Sequence, residues 1–212
     1  MSNPFQPRSV KIANDERTGW SSDRPRRDGA PPRPADISTR CRVLAPADRL
    51  RYSPGSLLVI VSASEELRDR FAGGMIQERG ALLSMNKVRA LIAGRVAEDE
   101  AEDKAAELLD SAVQKRLTAG ETVVVVAEGL EPEARERYVR AAAALRRPRH
   151  LMLLETAKEH VEEEDRAPLN ELRRALDAGE LGQEGFQTAV RLSAGALKEI
   201  KAIWFRPAPR ED

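Results

Sequence analysis

The sequence predicts an α/β fold with a mainly parallel sheet. Short apolar runs of strand length, such as Leu57–Val61 and Thr122–Ala127, follow turn residues. Such runs are typical of strands that are buried on both faces. Longer amphipathic segments alternate with them, and the longest, Val96–Leu117, is followed by the helix-terminating Gly120. Because alternating strands and helices are joined by right-handed crossovers, we expect the strands to run parallel.

The same criteria assign the remaining elements in chain order. The predicted strands are Leu57–Val61, Ala81–Ser84, Thr122–Ala127, Leu151–Leu154, Phe186–Leu192 and Ala202–Phe205. The predicted helices are Glu65–Gln77, Val96–Leu117, Glu131–Leu145, Ala157–Glu164 and Leu169–Ala178.

The first fifty residues differ in composition from the rest. They contain seven prolines, and the stretch from Arg8 to Arg51 holds eleven basic and six acidic residues, a net charge of +5. Such a segment buries too little apolar surface to offset its ordering entropy. We therefore expect residues 1–50 to be a disordered basic tail and residues 51–212 to be the α/β domain. The tail is either a solubilising segment or a docking arm for nucleic acid, an acidic protein or its own domain, and its candidate contacts are Arg24, Arg26 and Arg27.

Composition also excludes several classes of protein. The 35 basic and 35 acidic residues cancel, which argues against a nucleic-acid binder that is basic over its whole surface. One cysteine and two histidines argue against disulfides and a structural zinc site. No apolar run is long enough to span a membrane. We expect a cytoplasmic protein with no metal site and no membrane partner.

Several short segments resemble one family of kinases. They are Ala101–Asp110, Lys115–Gly120, Leu130–Arg135, Glu184–Phe186 and the ending Phe205–Pro207. With the spacing of elements from residue 56 to residue 207, they resemble the kinase domain of bacterial polynucleotide kinase–phosphatases, within the P-loop kinases. The resemblance implies a P-loop NTPase-like three-layer sandwich. It does not imply activity, because folds and functional sites are separable.

The resemblance places the family's phosphate loop, G-x-x-x-x-G-K-[ST], at residues 62–69. Ser62 and Leu67 then stand at the glycines, Arg68 at the lysine and Asp69 at the hydroxyl residue. Leu67 cannot freely adopt a glycine-only conformation. The loop is therefore a degenerate Walker A motif.

Charge gives a second argument against phosphate binding there. Glu65, Glu66 and Asp69 outweigh Arg68, so the loop carries a net charge of −2 where a polyanion would bind. The acidic residues also have a structural interpretation. Ser62 and Glu65 have the spacing of a capping box, and carboxylates in a first turn complement the helix dipole.

The resemblance implies further sites, and this sequence departs from each. Asn86 stands where the family has the aspartate that accepts the proton of a 5′-hydroxyl, and an amide cannot be a general base. Arg89 remains at the basic position and is a candidate phosphate contact. Val126 replaces the carboxylate on the metal side of the central strand, and Glu128 lies two positions further on. The lid segment, residues 159–168, is acidic, with Arg166 as its one arginine.

These departures favour a non-catalytic homologue with no catalytic residues and no cofactor, acting as a binding or scaffolding module on nucleic acid or protein. One alternative is a divergent ATP-dependent kinase that acts on a nucleic-acid 5′-hydroxyl or a small molecule through Arg68 and Arg166, and it alone requires ATP and Mg²⁺. Another is a structural subunit of a larger complex.

Overall fold

The computed structural model describes residues 35–47 and 49–206. Its central sheet has six parallel strands in the order β1-β7-β6-β3-β5-β4, and β2 and β8 form a separate parallel pair. The strands are β1 Arg42–Leu44, β2 Arg49–Tyr52, β3 Leu57–Val61, β4 Leu82–Ser84, β5 Val123–Val126, β6 Arg149–Leu154, β7 Thr188–Leu192 and β8 Ala202–Phe205.

Helices cover both faces of this sheet. They are α1 Glu65–Met75, α2 Met85–Ile92, α3 Ala101–Thr118, α4 Glu133–Ala144, α5 Glu163–Asp177 and α6 Ala194–Glu199, with short 3₁₀ turns at Arg79–Ala81, Lys158–His160 and Glu180–Gly182. Alternate residues of β3 divide the core. Leu57 and Val59 pack with α3, α4 and α5, whereas Leu58 and Ile60 pack with α1, β2 and β8. The predicted three-layer α/β sandwich with a mainly parallel sheet is therefore confirmed.

The boundary predicted at residue 51 lies too late in the chain. Strands β1 and β2 belong to the segment that we assigned to the tail, and the compact unit begins at Asp36. In β2, Leu50 and Tyr52 are buried, while Arg49 and Arg51, which alternate with them, are exposed. Each strand is short and needs a partner from the end of the chain, which composition cannot reveal. Arg24, Arg26 and Arg27 lie outside the described residues.

Two helix predictions were wrong. The third helix begins at Ala101, and a separate helix, α2, precedes it over Met85–Ile92. The helices predicted at residues 157–164 and 169–178 are largely one element, α5, which contains Pro168. The acidic residues 162–165 begin this helix, where they complement its dipole, so they are not a loop between two helices. No helix within the described ranges is long and apolar enough to cross a membrane.

Candidate functional site

The turn between β3 and α1 is closed by its own side chains. Ser64 is the N-cap residue, and its Oγ accepts the N–H of Leu67 at 3.3 Å. The N–H of Ser64 in turn donates to Ser62 Oγ at 3.2 Å. The predicted capping box at Ser62 and Glu65 was therefore wrong. Ser62 Oγ instead lies 3.1 Å from the carbonyl oxygen of Leu154, to which it donates.

The start of α1 at Glu65, as predicted, explains how Leu67 is accommodated. Because α1 begins at Glu65, Leu67 lies in its first turn instead of at a loop corner. Among the described non-glycine residues, only Arg146 has a positive φ, so no left-handed conformation is required between residues 62 and 69. Ser64, which directly precedes two glutamates, was the sequence signal for this helix start.

Arg68, which the resemblance places at the lysine position, is directed inward. Its residue is 5% exposed, and its Nη1 donates to the carbonyl oxygen of Ala127 at 2.5 Å. Its Nε lies 3.5 Å from Asp69 Oδ1. The guanidinium thus joins α1 to the end of β5, and it satisfies a backbone acceptor there instead of extending into solvent.

Asn86, in the first turn of α2, bridges two of the three acidic residues of α1. Its Nδ2 donates to Glu65 Oε1 and to Asp69 Oδ2, each at 2.7 Å. Its Oδ1 accepts from Arg89 Nη1 at 3.0 Å. Both ends of the amide are therefore used inside the protein. An aspartate in this place would bring a third carboxylate against the other two.

Arg89 is held by two carboxylates. It donates from Nη1 and Nη2 to Glu128 at 2.5 and 3.1 Å, and from Nη2 and Nε to Glu102 at 2.6 and 3.0 Å. Hydrogen bonds to Glu102 and then Glu128 raise the pKa of Arg89 above its ordinary value. The hydrogen bond from Arg89 likewise lowers the pKa of Glu102. The cation predicted for substrate phosphate is thus paired within the domain.

We call this connected group of seven residues the Asn86 network. Its members are Glu65, Arg68, Asp69, Asn86, Arg89 and their carboxylate partners Glu102 and Glu128, with Arg68 joined through Asp69. Four carboxylates against two guanidiniums give it a formal charge of −2. Glu66 is outside this network and pairs with Arg70 one turn along α1, at 3.3 Å.

Among its described residues, the site has no cluster of metal ligands, but a cavity lies beside it. Val126 is buried at the end of β5, where the family has a carboxylate. Within residues 35–47 and 49–206, no cluster of three His, Cys, Asp or Glu side chains could hold a metal ion. A cavity of about 380 Å³ lies between α1 and α2, and Asp69, Asn86 and Lys87 line it. This volume falls in the range of small-molecule sites, so space alone does not exclude a ligand.

Arg166 does not join the network. It lies in α5 and forms an ion pair with Glu163, one turn earlier. In the described part of the chain, no hydrogen bond or ion pair connects it with Asn86 or Arg89. The structure therefore brings together the predicted residues of α1 and α2 and leaves Arg166 apart. Sequence reasoning missed Glu102, because nothing in the pattern of α3 shows that its first turn meets Arg89.

Residues 49–180, more than half of the chain, match the model of a family described as an AAA domain. The chain belongs to this P-loop NTPase-like family. Membership supports the resemblance to the P-loop kinase superfamily at that level. No curated protein matches the chain. In this AAA-domain protein, the Asn86 network lies beside the turn after β3, where the resemblance places the phosphate loop.

Proposed function

We propose that this AAA-domain protein is a non-catalytic homologue of the P-loop polynucleotide kinases and acts as a binding or scaffolding module. The Asn86 network is the observation that carries the proposal. Asn86 and Arg89, which the resemblance places at the positions of the base and of the phosphate-binding cation, are paired with carboxylates of the domain itself.

Electrostatics supports the loss of ATP binding. A triphosphate at this turn would approach Glu65 and Asp69, and each like-charge contact near 4 Å costs about 1 to 4 kcal/mol, depending on screening. Micromolar affinity corresponds to only about 8 kcal/mol, so a few such contacts would remove useful binding. The neighbouring guanidiniums offset little of this cost, because Arg68 and Arg89 already bind other groups.

The chemistry of phosphoryl transfer supports the same proposal. Transfer to a hydroxyl needs a residue that positions or deprotonates the nucleophile and cations that stabilise the transferred group. Asn86 has no protonation equilibrium near neutral pH, and its oxygen already accepts from Arg89. A divergent kinase would instead depend on Arg68 and Arg166, whose guanidiniums contact Ala127 and Glu163. The other alternative, a structural subunit of a larger complex, would likewise not bind nucleotide.

Thermal unfolding with millimolar Mg·ATP tests the proposal. A site with a Kd a hundredfold below the ATP concentration would add about 2.7 kcal/mol, or several degrees in Tm. We expect no shift for the wild type and no transfer of labelled phosphate from ATP to a 5′-hydroxyl oligonucleotide. A reproducible shift, or transfer above background, would support the divergent kinase instead.

A pair of matched variants tests whether the acidic charges at the turn prevent nucleotide binding. Glu65→Gln with Asp69→Asn removes two charges from the mouth of the turn, and Glu98→Gln with Asp99→Asn removes two from the exposed loop before α3. We expect nucleotide-dependent stabilisation to increase in the first variant only. Equal behaviour of the two variants would show that charge at the turn is not what prevents binding.

A further inference from the structure

The two-stranded sheet of β2 and β8 has one apolar face and one face that is basic and aromatic. Leu50, Tyr52, Ile203 and Phe205 pack into the core from the inner face. Residues two apart along a strand share a face, so Arg49 and Arg51 lie together on the other side, as do Trp204 and Arg206. The register sets Arg51 directly opposite Trp204.

Three guanidiniums surround the Trp204 ring. Their Cζ atoms lie 5.7 Å (Arg49), 4.9 Å (Arg51) and 5.5 Å (Arg206) from the ring centroid. We call Arg49, Arg51, Trp204 and Arg206 the arginine–tryptophan patch. Any two of these guanidinium carbons are within about 11 Å of each other, so the three cations are clustered around one ring.

Two arginines of the patch, Arg51 and Arg206, differ from those of the Asn86 network in their partners. Within the described residues, no carboxylate forms an ion pair with either of them, and their guanidiniums lie against the indole ring. All three arginines are exposed, and Trp204 is partly exposed. A guanidinium near an aromatic ring keeps N–H donors that can bind phosphate in the bidentate manner.

We propose that the arginine–tryptophan patch binds single-stranded nucleic acid. Clustered cations match a phosphate backbone, and an indole bordered by guanidiniums provides a surface on which an unpaired base can stack. An acidic protein would pair with the arginines but would not stack on the Trp204 ring. A duplex keeps its base faces stacked inside the helix, so they could not stack on the ring either. The inference is independent of the nucleotide site, because the patch lies on a different sheet from the Asn86 network.

Fluorescence anisotropy with a labelled oligothymidylate and the full-length chain tests this inference. We compare the wild type with Arg51→Gln/Arg206→Gln, and use Arg24→Gln/Arg26→Gln as a control that removes the same charge from the predicted tail. The patch variant should bind about tenfold more weakly, and its slope of log K against log salt should be shallower by about 1.4, the value for two lost phosphate contacts to a single strand. The control should lose less than about threefold.

A second readout follows the ring itself. The chain has two tryptophans, so Trp20→Phe leaves Trp204 as the single tryptophan emitter. Stacking of a base should quench this emission during an oligothymidylate titration, and polyglutamate of similar length should not quench it.

Four results would overturn the inference. They are the absence of oligonucleotide binding, a greater loss in the tail control than in the patch variant, saturable binding without a change in Trp204 emission, and equal affinity with equal quenching for polyglutamate. The last would identify an acidic protein as the partner. None of these results bears on ATP binding, so they are distinct from failure of the proposed function.

Discussion

Arg89 binds Glu128 through two hydrogen bonds, of 2.5 and 3.1 Å, and so joins α2 to the loop that follows β5, the second strand from one edge of the sheet. The same guanidinium holds Glu102 at the start of α3. Asn86, one turn before Arg89, extends these contacts to α1. Three helices and the end of β5 thus meet through ion pairs and hydrogen bonds, and Asn86 lies between two of these helices.

Asn86→Asp should destabilise the domain more than Asn86→Ala. The new carboxylate would lie within hydrogen-bond distance of both Glu65 and Asp69, and Arg89 can neutralise only part of the added charge. We expect the aspartate variant to be less stable than the alanine variant by about 2 kcal/mol at pH 8. Urea denaturation of the two variants measures the difference.

Magnesium provides the control for this prediction. Three adjacent carboxylates supply the hard oxygen ligands that Mg²⁺ prefers, so millimolar MgCl₂ should restore part of the stability of Asn86→Asp and leave Asn86→Ala unchanged. An aspartate variant as stable as the alanine variant, with no response to magnesium, would contradict the close contact of these three positions.

The sequence predicts well those elements whose burial can be inferred from their own run of residues. The five residues of β3 are all buried, and a continuous apolar run is the expected pattern for such a strand. Strand β2 has the opposite character, because two arginines alternate with Leu50 and Tyr52 and its partner β8 lies about 150 residues further along the chain. The Asn86 network also joins segments that are distant in the chain. Alignment with the kinase motifs therefore identified Asn86 and Arg89 but could not identify Glu102 as their neighbour.

Arg135→Leu should be among the most destabilising substitutions outside the apolar core. Arg135 is 1% exposed and donates to Glu184 at 2.6 and 2.7 Å, and also to the carbonyl oxygens of Leu130 and Glu131. Removing it leaves the Glu184 carboxylate and two carbonyl groups without their partner, a loss of about 3 to 5 kcal/mol. Thermal and urea unfolding both report it.

Arg137→Leu is the matched control on the same helix. Its ion pair with Asp110 is 44% exposed on both sides, and it also donates to Tyr138 Oη at 2.7 Å, so its loss should cost about 1 to 2 kcal/mol. Arg135→Lys should fall between the two, because an ammonium group keeps the charge but cannot form the paired hydrogen bonds. Equal losses for Arg135→Leu and Arg137→Leu would contradict the buried geometry of Arg135.

His150 should make the domain less stable in mild acid. Burial, and secondarily the charge of Arg149, lower the pKa of His150 to about 4, while its ring lies 4.6 Å from that of Tyr52. In the unfolded chain the imidazole titrates near 6.5, so below that pH the unfolded state binds a proton that the folded state does not. The free energy of unfolding should therefore fall by about 3 kcal/mol in total as the pH drops from 6.5 to 4.

Variants at the two histidines separate this effect from the titration of carboxylates. His150→Gln should flatten the pH dependence between 6.5 and 4, whatever its stability at pH 7, and His160→Gln on the exposed 3₁₀ turn should leave the dependence unchanged. Urea denaturation at several pH values measures these slopes. Parallel curves for His150→Gln and the wild type would show that His150 is not the group responsible.

Glu155→Gln should lower the stability of the domain and make its Tm depend on added anions. Glu155 directly follows β6, its side chain is 12% exposed, and it accepts hydrogen bonds from Arg173 of α5 and Arg191 of β7. Burial acts to raise the pKa of Glu155, but the hydrogen bonds and charges of the two arginines hold it below its ordinary value. Without the carboxylate, two neighbouring guanidiniums lose their common partner, at a cost of about 2 to 3 kcal/mol.

Sulfate should restore part of that loss, because it can accept hydrogen bonds from both arginines in place of the carboxylate. We expect the Tm of Glu155→Gln to rise more in sodium sulfate than in sodium chloride of equal ionic strength, relative to the wild type in the same salts. Glu155→Gln/Arg173→Gln removes one of the two cations and should lose most of this sulfate response. The same sulfate response in the double variant and in Glu155→Gln would argue against shared coordination by Arg173 and Arg191.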